Sequence, residues 1–277
     1  MTGPQRKLAV LAGSGGLPVS VIEAAAGAGR GVFVLGFEGE TDPSLMNGYD
    51  HAWVKLGAVG QAIDILHRAS VEDVVMIGGI RRPSFGDLKL DFRGMQLLAK
   101  LGLKAARGDD RLLSLIVREL EGEGFQVLGA DEVIQPMLAP EGVITKASPS
   151  GAVQADIQHG VMVAKHIGKL DIGQAVIVHE GRVLGVEAIE GTDALIQRVA
   201  RLKPDRPGGV LVKMKKPGQD RRADLPTVGD RTVKQAIDAG LEGLAVHAGH
   251  CLLVHRETMI EMADRAGLFI IGIRDSD

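Results

Sequence analysis

Residues 213–229 read KMKKPGQDRRADLPTVG, with lysine and arginine interleaved with Gln219, Asp220 and Asp224. Cations of this kind neutralise phosphate oxygens, and a carboxylate among them can ligand a hard cation or direct a water, which is what phosphoryl-group chemistry requires. Lys213 and Lys215 alternate at the end of an apolar run, GGVLVK, so a strand there would put both on one face. Lys216, Arg221 and Arg222 add charge beyond it. Pro217 and Pro226 restrict the backbone and lower the entropy cost of ordering these side chains. A solvated loop whose opposite charges pair for small gain has the same composition.

Three other stretches carry chemistry-bearing residues. GSGGLP places Gly13, Ser14, Gly15 and Gly16 directly after an apolar run and before Pro18, which opens a helix. Backbone N–H groups of such a turn can approach a phosphate. The dinucleotide pattern G-x-G-x-x-G would want glycine at 18, and the tight strand–helix turn is the plain alternative. Glu38, after the next strand, stands about where a ribose-binding acid would. GGIRRPSF puts Gly79, Arg81 and Arg82 after another apolar run, where arginines could pair with phosphate or simply solvate a loop. VEAIEGTDA gathers Glu187, Glu190 and Asp193 where a hairpin passes into a helix; such oxygen donors suit Mg²⁺. Thr192 reads as that helix's N-cap, and Asp193 beside it would also stabilise the helix with no metal.

The remaining reactive types offer less. His247 and His250 in HAGHC have no Cys/His partners at zinc spacing. His159 and His166 read as packing or surface residues, RGDDR (107–111) as a helix start, and Cys251 as inert in an apolar strand.

Positioning these loops requires strands and helices. LAVLA, GVFVLGF, HAWVKLG, DVVMIGGI and FQVLGA read as strands of a first half, mostly continuously apolar and separated by helical patterns. Such strands are buried on both faces of a parallel sheet. The expected class is α/β in two domains: residues 1–135 as a Rossmann-like parallel sheet with helices on both faces, and residues 136–277 as a mixed α/β domain. QPMLAPEGVITKASPSGA reads as a linker by composition. QAVIVHEGRVLGVEAIEG reads as a β-hairpin turning at HEGR, with helices before and after it. GGVLVK, LEGLAVHA, CLLVHRE and LFIIGI read as further strands.

Composition limits the functions. Of 277 residues, 45% are hydrophobic, which supports a large core. Aromatics at 3% and a net charge of −3 argue against nucleic acid as a partner. One cysteine fits a reducing compartment. The apolar run near the start is too short and glycine-rich for a signal peptide or span, so a cytoplasmic protein is expected.

GSGGLP, LDIGQAVIVHEGRVLGVEAIEGTDALI and KMKKPGQDRRADLPTVGDRTV together resemble the LpxI-type UDP-2,3-diacylglucosamine pyrophosphatases, across essentially the whole chain. The resemblance implies hydrolysis of UDP-2,3-diacylglucosamine to UMP and 2,3-diacylglucosamine 1-phosphate (lipid X) on the way to lipid A. It implies Mg²⁺ dependence, two domains with the lipid held between them, and action at the cytoplasmic face of the Gram-negative inner membrane with peripheral contact. It also implies that Asp224, in RADLPTVG, is the critical acid. Our expected set is Asp224 with Asp193, Glu190 and Asp220 at the metal, Lys213 and Lys215 on developing charge, and Gly13, Ser14, Gly15, Gly16, Gly79, Arg81, Thr192 and Gln219 on substrate. Size and class suggest a homodimer. The rival readings are a nicotinamide-dependent oxidoreductase, from the glycine loop, and a non-catalytic carrier of nucleotide sugars or lipids.

Overall fold

In the computed structural model, the described residues are 6–80, 89–105, 109–134, 137–202, 208–217, 222 and 225–274. The chain divides into two units, Met1–Gln135 with Asp220–Asp224, and Pro136–Gln219 with Leu225–Asp277.

The first unit is built on five strands: β1 (Leu8–Ala12), β2 (Val32–Phe37), β3 (Asp50–Val54), β4 (Asp73–Ile77) and β5 (Gln126–Leu128). They lie in the order β3-β2-β1-β4-β5 and every pairing is parallel. Helices α1 (Leu17–Gly27), α2 (Val59–Arg68), α3 (Phe92–Ala105), α4 (Asp109–Gly122) and the short α5 (Ala130–Val133) complete it. One face of the sheet packs Ala9, Leu11, Phe33, Leu35 and Val74 against Ile63 and Leu66 of α2 and Val117 and Leu120 of α4. Val10, Val34 and Val75 on the other face are fully buried, and α1 packs on that side through Val21, Ile22 and Ala25. Burial on both faces is why these strands read as unbroken apolar runs rather than alternating ones. At the amino-terminal end of the sheet, buried Asp73 is paired by Arg6 and Arg30.

The second unit has six strands in one sheet: β6 (Gly142–Val143), β7 (Ala175–His179), β8 (Arg182–Val186), β9 (Val210–Lys213), β11 (Gly243–His247) and β13 (Phe269–Ile273). Their order is β6-β13-β11-β9-β7-β8; β9, β11 and β13 are parallel, and β6, β7 and β8 pair antiparallel with their neighbours. A two-stranded parallel ladder joins β10 (Thr227–Gly229) to β12 (Leu252–Val254). Helix α6 (Gly151–Lys169) covers one face, placing Val153, Ile157 and Ala164 against Val176, Val178, Val210 and Val212. Helices α7 (Gly191–Leu202), α8 (Asp230–Asp238) and α9 (Arg256–Ala266) cover the other, around Ile177, Leu211, Leu244 and Leu253. The hairpin turns at Glu180–Gly181, both at positive φ. The buried carboxylate of Asp156 on α6 accepts both turn N–H groups, at 2.8 and 2.7 Å.

The stretch that composition marks as a linker is, over its described residues, part of this second unit. Leu138 bridges Leu252, the Ala139 N–H donates to the Cys251 carbonyl at 2.8 Å, and β6 pairs with β13. Pro140 suits a sheet-edge segment that pairs intermittently, and this is what a compositional reading misses. Ser150 then caps α6, its Oγ accepting from the Val153 N–H.

Candidate functional site

Each unit gathers polar groups at the carboxyl edge of its parallel strands, the edge at which open α/β sheets bind ligands. In the first unit, β1 leads to β2 on one side while β4 lies on the other, so the strand order reverses between β1 and β4. The loops leaving these two strands contain Gly13–Gly16 and Gly78–Ile80. They are tied together: the Ser14 N–H donates to the Gly79 carbonyl at 2.7 Å, the Gly79 N–H to the Ser14 carbonyl at 3.0 Å, and the Ser14 hydroxyl to the same Gly79 carbonyl at 2.8 Å. A Cβ on Gly13 would lie 2.5 Å from the Gly79 carbonyl oxygen. Gly13 is therefore needed for the approach of one loop to the other, with or without a ligand. Gly15 sits at φ +96° with open space around it, immediately before α1. The bridge uses the Ser14 N–H and hydroxyl, which leaves the turn at Gly15, Gly16 and the start of α1 as the part that faces outward. Arg81 lies outside the described residues.

In the second unit the edge is formed by the ends of β8, β9 and β11 with the start of α7. Lys213 closes β9 between β7 and β11, paired with Ala175 and Val246, and is 8% exposed. Its ammonium donates to the Thr192 hydroxyl at 3.0 Å and to the Thr227 carbonyl at 2.9 Å. The Thr192 hydroxyl donates in turn to Glu187 Oε1 at 2.7 Å, and Glu187 Oε2 accepts the Gln174 N–H at 3.1 Å. Glu187 is itself 6% exposed. Three side chains, from the residue after β8, from α7 and from the end of β9, thus form one buried polar line. Beside it, His247 at the end of β11 packs against His250 with ring centroids 4.4 Å apart and planes tilted by 55°, and its Nδ1 accepts the Lys215 N–H at 3.3 Å.

Two local expectations change. Thr192 is the second residue of α7, inside the helix, and its hydroxyl serves Glu187 and Lys213 instead of capping. Strand β9 stops at Lys213, so the alternation that would place Lys215 on the same face is not continued.

The carboxylates of the hairpin-to-helix stretch have separate partners. Glu187 is held by Thr192 and Gln174, Glu190 by Arg198 at 2.9 Å, and Asp193 by Arg231 at 2.9 Å. Its own backbone N–H, then Arg198, hold Glu190 below the usual carboxylate range. Among the described residues no three His, Cys, Asp or Glu side chains form a metal-holding group. Gln219, Asp220 and Asp224 lie outside the described residues. Arg222, from the same stretch, belongs to the first unit, where it pairs with Glu121 of α4 at 2.5 Å. Cys251 is fully buried, and burial pushes its thiol up to about 12, so it is neither a nucleophile nor a metal ligand at neutral pH.

Sequence reasoning grouped Glu187 with Glu190 and Asp193 as possible Mg²⁺ donors rather than with Lys213, and it passed over Thr227. No spacing rule could find them, since Lys213 meets Thr192 across 21 residues and Thr227 across 14.

The fold and its two glycine- and lysine-bearing edges define a two-unit α/β protein suited to a phosphate-containing ligand. The family profiles described as LpxI N-terminal domain and LpxI C-terminal domain match residues 7–137 and 140–271. A relative from Caulobacter vibrioides, named UDP-2,3-diacylglucosamine pyrophosphatase LpxI, is 43% identical over 274 residues, 97% of this chain and 98% of that protein. The chain belongs to the LpxI family. A solved UDP-glucose-4-epimerase (galE) from Stenotrophomonas maltophila, with bound NAD and formylated UDP-arabinopyranose, is similar at 12% identity over 72% of this chain and 73% of that one, with a TM-score of 0.30.

Proposed function

We propose that this chain hydrolyses the pyrophosphate bond of UDP-2,3-diacylglucosamine, giving UMP and 2,3-diacylglucosamine 1-phosphate (lipid X) in lipid A biosynthesis. The observation that carries the reading is the 43% identity to the Caulobacter pyrophosphatase over 97% of the chain, with both family domains present in order. The structure adds a compatible chemistry. Lys213 is a buried cation at a strand end, held by two acceptors, and such a fixed ammonium stabilises charge that develops on a phosphoryl oxygen. Lys215 and Gln219 would supply further contacts to the substrate phosphates. In the first unit the Gly13–Gly16 turn, with Gly79 and Arg81, would hold another part of the nucleotide or sugar phosphate.

Mg²⁺ would be held by Asp224 with Asp220, Asp193 and Glu190. All four are oxygen donors, which is the chemistry the ion prefers. The side chains of Asp193 and Glu190 are 38% and 32% exposed, so an ion can reach them, and each would exchange an arginine for the metal. A bound Mg²⁺ would supply Lewis-acid polarisation of the anhydride. Asp224 would direct the attacking water, and Lys213 would meet the charge left on the phosphate.

The product is a lipid, so the chain has to work at a membrane, and among the described residues no helix is long and apolar enough to cross one. The contact would be peripheral and on the cytoplasmic face; for contact of this kind Leu170, Ile172 and Ile189 offer apolar surface, at 72%, 44% and 88% exposed. They sit on two adjoining loops of the second unit, where Gly173 packs directly against the Glu187 carbonyl. Homodimerisation, suggested by size and class, is checked by sedimentation.

Purified chain with UDP-2,3-diacylglucosamine and Mg²⁺ should release UMP, and Asp224→Ala should bind substrate without releasing it. Binding without UMP release by the unaltered chain would make it a carrier, and near-normal turnover by Asp224→Ala would remove that residue's role.

A further inference from the structure

The buried line at the edge of the second sheet contains a residue with no part in the reaction as described so far. Glu187 is buried and among the described residues pairs with no cation directly: its two oxygens accept from the Thr192 hydroxyl and the Gln174 N–H. A hydroxyl has one proton to give. Because Thr192 gives it to Glu187, the threonine oxygen presents only lone pairs, and these receive the Lys213 ammonium. The direction of the whole line is therefore set at its Glu187 end. An ammonium has three donors. Among the described residues Lys213 spends two, on Thr192 and Thr227, leaving one for an incoming oxygen. A buried ammonium also needs an opposite charge as compensation, and Glu187 supplies one a single hydroxyl away.

We propose that Glu187 is a positioning residue that, through the Thr192 hydroxyl, aims the Lys213 ammonium at the pyrophosphate. This rests on the assignment of Lys213 to the phosphate. If Glu187 only anchored the loop through Gln174, its loss would lower stability and leave the turnover of folded enzyme unchanged.

The test compares Glu187→Gln, Thr192→Val, Thr192→Ser and the Glu187→Gln/Thr192→Val double variant, with the folded fraction measured for each. Glu187→Gln and Thr192→Val should each lower kcat about tenfold or more with KM within about threefold, the pattern of an interaction made in the transition state. Thr192→Ser should stay within about threefold of the unaltered chain, and the double variant should be no worse than the poorer single one, as for residues acting in series. A kcat for Glu187→Gln within about twofold of the unaltered chain, or multiplicative losses in the double variant, would overturn the proposal. A second readout needs no substrate: in the unliganded chain, labelling of Lys213 by an amine-acylating reagent should rise several-fold in Glu187→Gln, and equal labelling would overturn the line. If the unaltered chain releases no UMP, the hydrolase reading is refuted and the labelling alone decides whether Glu187 orders Lys213.

Discussion

Replacing Gly13 by alanine separates what the glycine loops do for the fold from what they do for a ligand. The backbone of Gly13 is not in the left-handed region, so an alanine there is strained only by what its Cβ meets. That Cβ would lie 2.5 Å from the Gly79 carbonyl oxygen and 2.7 Å from the Gly78 carbonyl carbon, both backbone atoms that no side-chain rotation can move. The loops must part, and the Ser14–Gly79 bridge with its three hydrogen bonds must stretch or break. With one or two of these bonds lost at about 0.5–1.5 kcal/mol net each, and about 1–3 kcal/mol for overpacking, the expected loss is about 2–6 kcal/mol. For a unit of this size that lowers the unfolding midpoint by roughly 10 °C. Gly27→Ala, at the end of α1 with nothing within 4 Å of the new Cβ and no positive φ, is the control and should be neutral or slightly stabilising. Thermal unfolding followed by circular dichroism, without ligand, reads both. A Gly13→Ala midpoint within about 1 °C of the unaltered chain would show that the close approach of the loops is not what requires glycine there.

Other outcomes follow from the same contacts. Chelation of divalent ions should abolish UMP release and added Mg²⁺ should restore it; turnover that survives exhaustive chelation would remove the metal from the account. Cys251, with its thiol pushed up to about 12, should resist alkylation of the native chain from pH 7 to 9 and react on unfolding, and rapid native labelling would contradict its burial. Its raised value keeps the native thiol protonated throughout that window while the unfolded thiol ionises at about 8.5, so this group should lower stability as pH rises past about 8.5, and a stability curve flat there would contradict it. Glutamate at both Leu170 and Ile189 should weaken sedimentation with vesicles of anionic phospholipid several-fold while sparing hydrolysis of detergent-dispersed substrate. Unchanged vesicle binding would place membrane contact elsewhere.

The parallel strands of the first unit were readable because burial on both faces leaves nothing but apolar residues in them, and Gly13 and Gly78 marked the ends of β1 and β4. The hairpin was readable because Glu180 and Gly181 interrupt two β-rich runs. The edge strand β6 was not, because a two-residue strand shortly after a proline has the composition of a linker, and its pairing with β13 is set by tertiary contact rather than local sequence. Thr192 illustrates a different limit. Its position before an apolar helical pattern suggested a cap, but Glu187 on one side and Lys213 on the other compete for its hydroxyl, and those partners are set by sheet pairing rather than by local sequence. The acids of VEAIEGTDA were visible as a group in one dimension; in three, Glu190 and Asp193 each take a different arginine, Arg198 of α7 and Arg231 of α8.

The central claim is that water opens a phosphoric anhydride in the substrate. Reaction in ¹⁸O-labelled water, with mass analysis of both products, tests it most directly. The account predicts equimolar UMP and 2,3-diacylglucosamine 1-phosphate with one ¹⁸O carried by one of the two; products without label, or binding with no UMP formed, would contradict it.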